Sequence, residues 1–154
     1  MMKKVLIGIA VLLIGIQFIR PDKNEGSADS PQDITHAVQV PEPVMQTLKV
    51  ACYDCHSNHT KYPWYANISP VSLWLANHVN EGKSELNFSS FAAYDKKRMD
   101  HKLEEIGEEV EEGHMPLPAY TMLHHDAELS ESQKQLLVEW AKTERTRLGY
   151  VPEK

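Results

Sequence analysis

The chain has 154 residues, with 16 basic and 22 acidic side chains and a formal net charge of -6. That balance argues against a nucleic-acid binder, which needs a basic face for phosphates. Hydrophobic residues at 42% are ordinary for one globular domain, 2 cysteines are too few for a disulfide scaffold, and 8 histidines keep metal or cofactor chemistry open.

Lys3 and Lys4 precede an apolar run from Val5 to Ile19 in which Gln17 is the strongly polar member. A positive start followed by an apolar stretch is the pattern of an export signal. No small-x-small cleavage site follows, so residues 1–20 are expected to stay as an uncleaved membrane anchor. Fifteen helical residues reach roughly 22 Å, short of the ~30 Å hydrocarbon core, so snorkelling or bilayer thinning would have to help. The two lysines favour the cytoplasm for that end and place everything after Arg20 outside it. Residues 21–43 are rich in Pro, Ser, Asp, Asn and Gly and lack helical periodicity. They are expected to form a flexible tether. The folded domain then covers residues 44–150.

Within that domain the periodicity is helical and strand-like alternation is missing. A short helix is expected from Val44 to Cys55, with Val44, Leu48 and Ala51 on one face. Ser69-Pro70 reads as a helix start with Ser69 as cap, and Val71, Trp74, Leu75 and His78 form a stripe before an end near Gly82. Ser89 or Ser90 caps a longer helix to about Glu112, with Met99, Leu103, Ile106 and Val110 at helical spacing. Gly113 stops it. The six glutamates between Glu104 and Glu112 read as a solvated face. Ser130 to Gln133 is a capping box that opens a last helix burying Leu136, Leu137, Trp140 and Ala141. The expected fold class is all-α: one small helical domain behind an N-terminal membrane segment.

The chemistry sits in Cys52-Tyr53-Asp54-Cys55-His56, a C-x-x-C-H pattern. This is the attachment signature of c-type haem. Two cysteines on one helical turn can each form a thioether to one vinyl group. The histidine after the second cysteine then reaches the iron from the same side. Three other uses of these residues stay open: a thioredoxin-like redox pair, a zinc site made with His56 and His59, and a plain disulfide between Cys52 and Cys55.

A second axial ligand is expected to be Met115, in a non-helical strap stiffened by Pro116 and Pro118. His78 is the rival sixth ligand, while His114, His124, His59 or an open site come behind it. His36 in the tether and His101 on a charged stretch are not favoured. Trp64 and Tyr65 follow the motif closely and are expected to pack the porphyrin or bond a propionate.

The stretches CYDCHSN, YPWY at Tyr62–Tyr65, SPVSLW at Ser69–Trp74, HVNEGKSELNFS at His78–Ser89, the M-P strap at Met115, LHHDAELS at Leu123–Ser130 and the final helix with Trp140 run in order. Over about 90 residues they resemble the small bacterial haem-binding domain family, whose members are c-type cytochrome-like and often anchored by an N-terminal segment. The resemblance implies covalent haem c through Cys52 and Cys55 with His56 as proximal ligand. The strap resembles that of mono-haem cytochromes c in general, which supports Met115. The expectation is an extracytoplasmic mono-haem c-type cytochrome that transfers single electrons to redox partner proteins at the inner membrane. The alternative is a peroxidase-like haem enzyme, or a gas or redox sensor, with an open or displaceable sixth site and His78, His114 or His124 as a distal acid–base group.

Overall fold

Two long helices carry the interior of the molecule. In the computed structural model, which describes residues 1–151, α5 (Lys96–Glu111) packs along α7 (Glu131–Leu148). Leu103, Ile106 and Val110 from α5 meet Leu137, Val138, Trp140 and Ala141 from α7 in one buried core. The spacing that predicts these faces is therefore used as expected, although Leu136 is only partly buried. Arg145 ties the pair together, with Nε 3.2 Å from Asp100 Oδ1 and Nη1 2.8 Å from Glu104 Oε1. The Ser130 capping box forms with Gln133, and Gly149 closes α7 at φ 60°.

Helices α1 (Met2–Ile16), α2 (Glu42–Ala51), α3 (Tyr53–His56), α4 (Val71–Glu85) and α6 (Pro118–Thr121) complete the helical set, with short 3-10 turns at Ile34–His36, Trp64–Asn67, Phe88–Ala93 and His125–Ala127. Among the described residues no strand forms, only an isolated bridge between Glu25 and His59. The all-α expectation stands.

Four local expectations are corrected. The helix expected over residues 44–55 breaks at Cys52, whose φ -127° and ψ -40° end α2 and start α3. The cap of α5 is not Ser89 or Ser90 but Asp95, whose Oδ1 accepts from the Arg98 amide at 2.7 Å. Ser89 instead is buried and receives the Asn58 amide at 3.1 Å, inside a turn whose Phe88 and Phe91 plug the core. Ser69 does not cap α4; its hydroxyl meets that of Ser72 at 2.8 Å, and α4 runs on past Gly82 to Glu85. Lastly, the face that α4 buries carries Ser72 and Val79, while Val71 and Trp74 are exposed.

The segment expected to hang as a tether is packed on the domain. Ile34 is fully buried and Val38 nearly so, both in the main core. Gly26 donates to the Asn58 carbonyl at 2.8 Å, and the Asn24 carbonyl takes the Thr60 amide at 2.9 Å. Trp140 Nε1 donates to the Gln39 carbonyl at 2.8 Å, and buried Glu144 accepts the Gln39 amide at 3.0 Å. A polar, turn-rich composition reports the backbone's local preference, and here two apolar side chains overrule it by reaching the core.

Helix α1 stands apart, with no buried residue. Its joint to the domain is Gln17, whose side chain donates to the Ser69 carbonyl at 2.8 Å and accepts the Ser69 amide at 3.0 Å. Among the described residues no helix is long and apolar enough to cross a membrane, so the expected spanning anchor is not supported. The reason is length: α1, Met2–Ile16, holds 15 residues.

Candidate functional site

The break at Cys52 sets up the site. Cys52 caps α3 with its backbone, the His56 amide closes back on the Cys52 carbonyl at 2.9 Å, and both cysteines and His56 ride on a single turn. That turn lies against α4, where Gly82 allows a close approach: a Cβ there would sit 2.8 Å from the Cys55 carbonyl oxygen and 3.1 Å from its Cβ. A glycine inside a helix costs about 1 kcal/mol against alanine, so its presence signals a neighbour that needs the space. Gly82→Ala is expected to destabilise the protein by about 1–3 kcal/mol despite the better helix propensity, because the obstructing atoms belong to backbone and cannot swing away. Thermal unfolding checks this.

Two adjoining cavities of about 290 and 220 Å³ open beside this turn. Cys52, His56, Glu85 and Met115 line both; Cys55, His78, Gly82 and Tyr120 border the first, and Phe88, Ile106 and Val110 the second. The walls are mostly apolar, as a flat hydrophobic cofactor requires.

His56 is held by one ring nitrogen. Its Nδ1 lies 3.1 Å from the Leu86 carbonyl, which only accepts, so Nδ1 carries the proton and Nε2 keeps its lone pair. Phe88 meets the ring edge-on with centroids 6.2 Å apart and also stacks on Tyr53 at 5.0 Å. Burial pushes the His56 pKa down, against the opposing pull of the Leu86 carbonyl, and so favours the neutral imidazole.

The cysteines are neutral thiols. Burial, seconded by the other cysteine, pushes Cys52 up to about 12. Burial and Asp54 push Cys55 up to about 11. A thioredoxin-like pair needs a depressed thiol pKa, the opposite of what this turn supplies. The zinc alternative lacks its geometry: His59 turns its Nδ1 to the Gly26 carbonyl at 3.1 Å, and among the described residues no group of three or more His, Cys, Asp or Glu side chains is placed to hold a metal ion. Both cysteines are free.

Met115 reaches the cavities as the strap leaves α5. Gly113 turns the chain at φ 75°, and the His114 and Met115 amides both donate to the Glu109 carbonyl at 2.9 and 3.0 Å. His78 borders the first cavity with its Nδ1 donating to the Trp74 carbonyl at 2.9 Å and its ring 4.1 Å from that of Trp74. The stripe of α4 is thus turned partly toward the site rather than the core.

Trp64 and Tyr65 are not brought to these cavities. Trp64 is 76% exposed, and the Tyr65 hydroxyl pairs with His124 Nε2 at 2.7 Å. His114 faces solvent beside Glu109 and Glu112. The glutamate-rich stretch is not wholly a solvated face, since Glu105 and Glu109 border the second cavity. Lys102, nearly buried, sits 2.5 Å from Glu105 and 3.7 Å from Glu85 and offsets part of that charge.

Three site residues have little or no signature in the sequence. Gly82 is visible only as a helix-interior glycine. Asp54 and Tyr120 are ordinary polar positions until the fold joins them, with the Tyr120 hydroxyl donating to Asp54 Oδ2 at 2.8 Å.

A helical domain with a C-x-x-C-H turn on an apolar cavity, and a histidine whose tautomer leaves Nε2 free, has the makings of a haem protein. The haem-binding domain family model matches residues 11–143, and the chain belongs to that family. No curated protein and no solved structure matches it.

Proposed function

We propose that this haem-binding protein is an extracytoplasmic mono-haem c-type cytochrome that passes single electrons between redox partner proteins. The observation that carries the reading is that Cys52, His56 and Met115, far apart in role and 63 positions from first to last, line the same pair of apolar cavities. Cys52 and Cys55 would each add their S–H across a vinyl group, forming thioethers. His56 Nε2, from the same turn, and Met115 would be the side chains that hold the iron. The bound group supplies a metal that cycles between ferric and ferrous states.

The protein's part is to hold the ligands and exclude water. Leu86 fixes the His56 tautomer and Phe88 fixes its ring. Glu81, Glu85, Glu105 and Glu109 on the cavity borders favour the more positive, oxidised state, while a thioether ligand favours the reduced one. The working potential is set by the balance of the two.

The exposed apolar helix α1 behind Lys3 and Lys4 supports export of the chain and attachment at the inner-membrane surface. Its Gln17 clamp on Ser69 supports retention of the helix in the mature protein.

One experiment tests the cofactor and the compartment together. The full chain is produced in a host that assembles c-type cytochromes outside the cytoplasm, beside a chain starting at residue 21 and a Cys52→Ala/Cys55→Ala chain. The full chain should keep haem-dependent staining after denaturing electrophoresis, and the other two should lose it. Staining of the double-alanine chain, or haem that extracts fully from the full chain into acidic organic solvent, overturns the covalent reading.

A further inference from the structure

The strap that carries Met115 is tied down at both ends, by different means. At its start, the amides of His114 and Met115 share the Glu109 carbonyl of α5. Pro116 and Pro118 then have no amide proton to give. The next tie is a side chain: the Tyr120 hydroxyl donates to Asp54 Oδ2 at 2.8 Å. Asp54 lies inside the Cys52–Cys55 turn and is itself held, its Oδ1 accepting the Lys61 amide at 3.1 Å. The Tyr120 ring stacks on His124 at 4.3 Å and 14°, and His124 Nε2 is braced by the Tyr65 hydroxyl at 2.7 Å. Tyr65 and His124 thus have a place beside the site without touching the cavities.

We propose that the Tyr120–Asp54 hydrogen bond is a latch that joins the Met115 strap to the haem-attaching turn, making Tyr120 a positioning residue for the sixth ligand. The inference rests on Met115 being that ligand. Helix α6 is a single turn, Pro118–Thr121, and has too few internal bonds to hold its own place. Without the latch, the strap hangs from the Glu109 carbonyl alone on its upstream side. The arrangement also joins the two faces of the site: the turn that would bear the proximal histidine grips the segment that would bear the distal methionine.

The test uses the full-length haem-loaded protein and measures cyanide binding to the ferric form. An incoming ligand must wait for the strap to open, so its apparent affinity scales with the open fraction. Tyr120→Phe removes one charge-assisted hydrogen bond and keeps the ring, and cyanide should bind roughly five- to tenfold more tightly. Asp54→Ala should give at least as large a gain, since it also releases the Lys61 amide, and Tyr120→Phe should add nothing in that background, because the shared bond is already gone. Amide hydrogen exchange across residues 117–123 should quicken in Tyr120→Phe, with exchange in α7 unchanged. Wild-type cyanide affinity in Tyr120→Phe, while Met115→Ala binds cyanide far more tightly, overturns the latch and leaves Met115 as ligand. If Met115→Ala gains nothing, the ligand reading fails, and exchange decides the latch alone: unchanged rates across 117–123 overturn it, and faster ones sustain it.

Discussion

Met115→Ala is expected to abolish the methionine-to-ferric charge-transfer band, lower the reduction potential and open the iron to external ligands. A closed site that opens about 1% of the time weakens any incoming ligand about a hundredfold, and removing the thioether removes that factor. Cyanide affinity should therefore rise by roughly two orders of magnitude, and the reduced protein should bind carbon monoxide. His78→Ala is the matched control. His78 borders the first cavity and only that one, with its Nδ1 committed to the Trp74 carbonyl. It should leave the band intact. The reverse pattern, with His78→Ala opening the site and Met115→Ala silent, would make the iron bis-histidine and weaken the case for a high-potential carrier. A site already open in the wild type would favour the peroxidase or sensor reading.

Ile34→Ala should cost about 2–5 kcal/mol in denaturant-induced unfolding, the range for truncating a fully buried aliphatic side chain. Ile34 has no exposed surface, and its turn packs on the Phe88–Ala93 turn that also carries the aromatic wall behind His56. The same substitution in a free tether would fall within about 0.5 kcal/mol of wild type. The gap between these outcomes is several times the measurement error. Destabilisation should come with a lower yield of haem attachment during maturation, because Phe88 belongs to the Ile34 core and meets the His56 ring.

Much of the site is legible because its chemistry demands neighbours in sequence. Two thioethers and an axial histidine on one turn need residues spaced as Cys52, Cys55 and His56 are. Met115 reaches the cavities on a segment that has left its helix, which Gly113, Pro116 and Pro118 announce. The supporting residues are illegible for the complementary reason. Asp54 and Tyr120 are 66 positions apart, and nothing in either neighbourhood names the other. Trp64 and Tyr65 mislead because nearness in sequence to the motif is taken for nearness to the cofactor. The intervening turn instead sends Trp64 into solvent and Tyr65 toward His124.

The helices divide along the same line. By itself the sequence determined the all-α class, the α5 and α7 faces, the Ser130 capping box, the stop at Gly113 and the grouping of Cys52, Cys55 and His56 on one turn, all of which depend on interactions within about four residues. Tertiary structure alone decided that residues 24–40 belong to the domain, since Ile34, Val38 and Gln39 find their partners up to 108 positions away on α7 and the Phe88 turn. It decided that α4 shows its Trp74–His78 stripe to the site and solvent rather than the core, because the close approach at Gly82 orients that helix against the cysteine turn. It also decided that a free-standing strap becomes an anchored one. A hydrogen bond between segments 66 positions apart has no periodicity to betray it, and only the folded chain brings donor and acceptor within 2.8 Å.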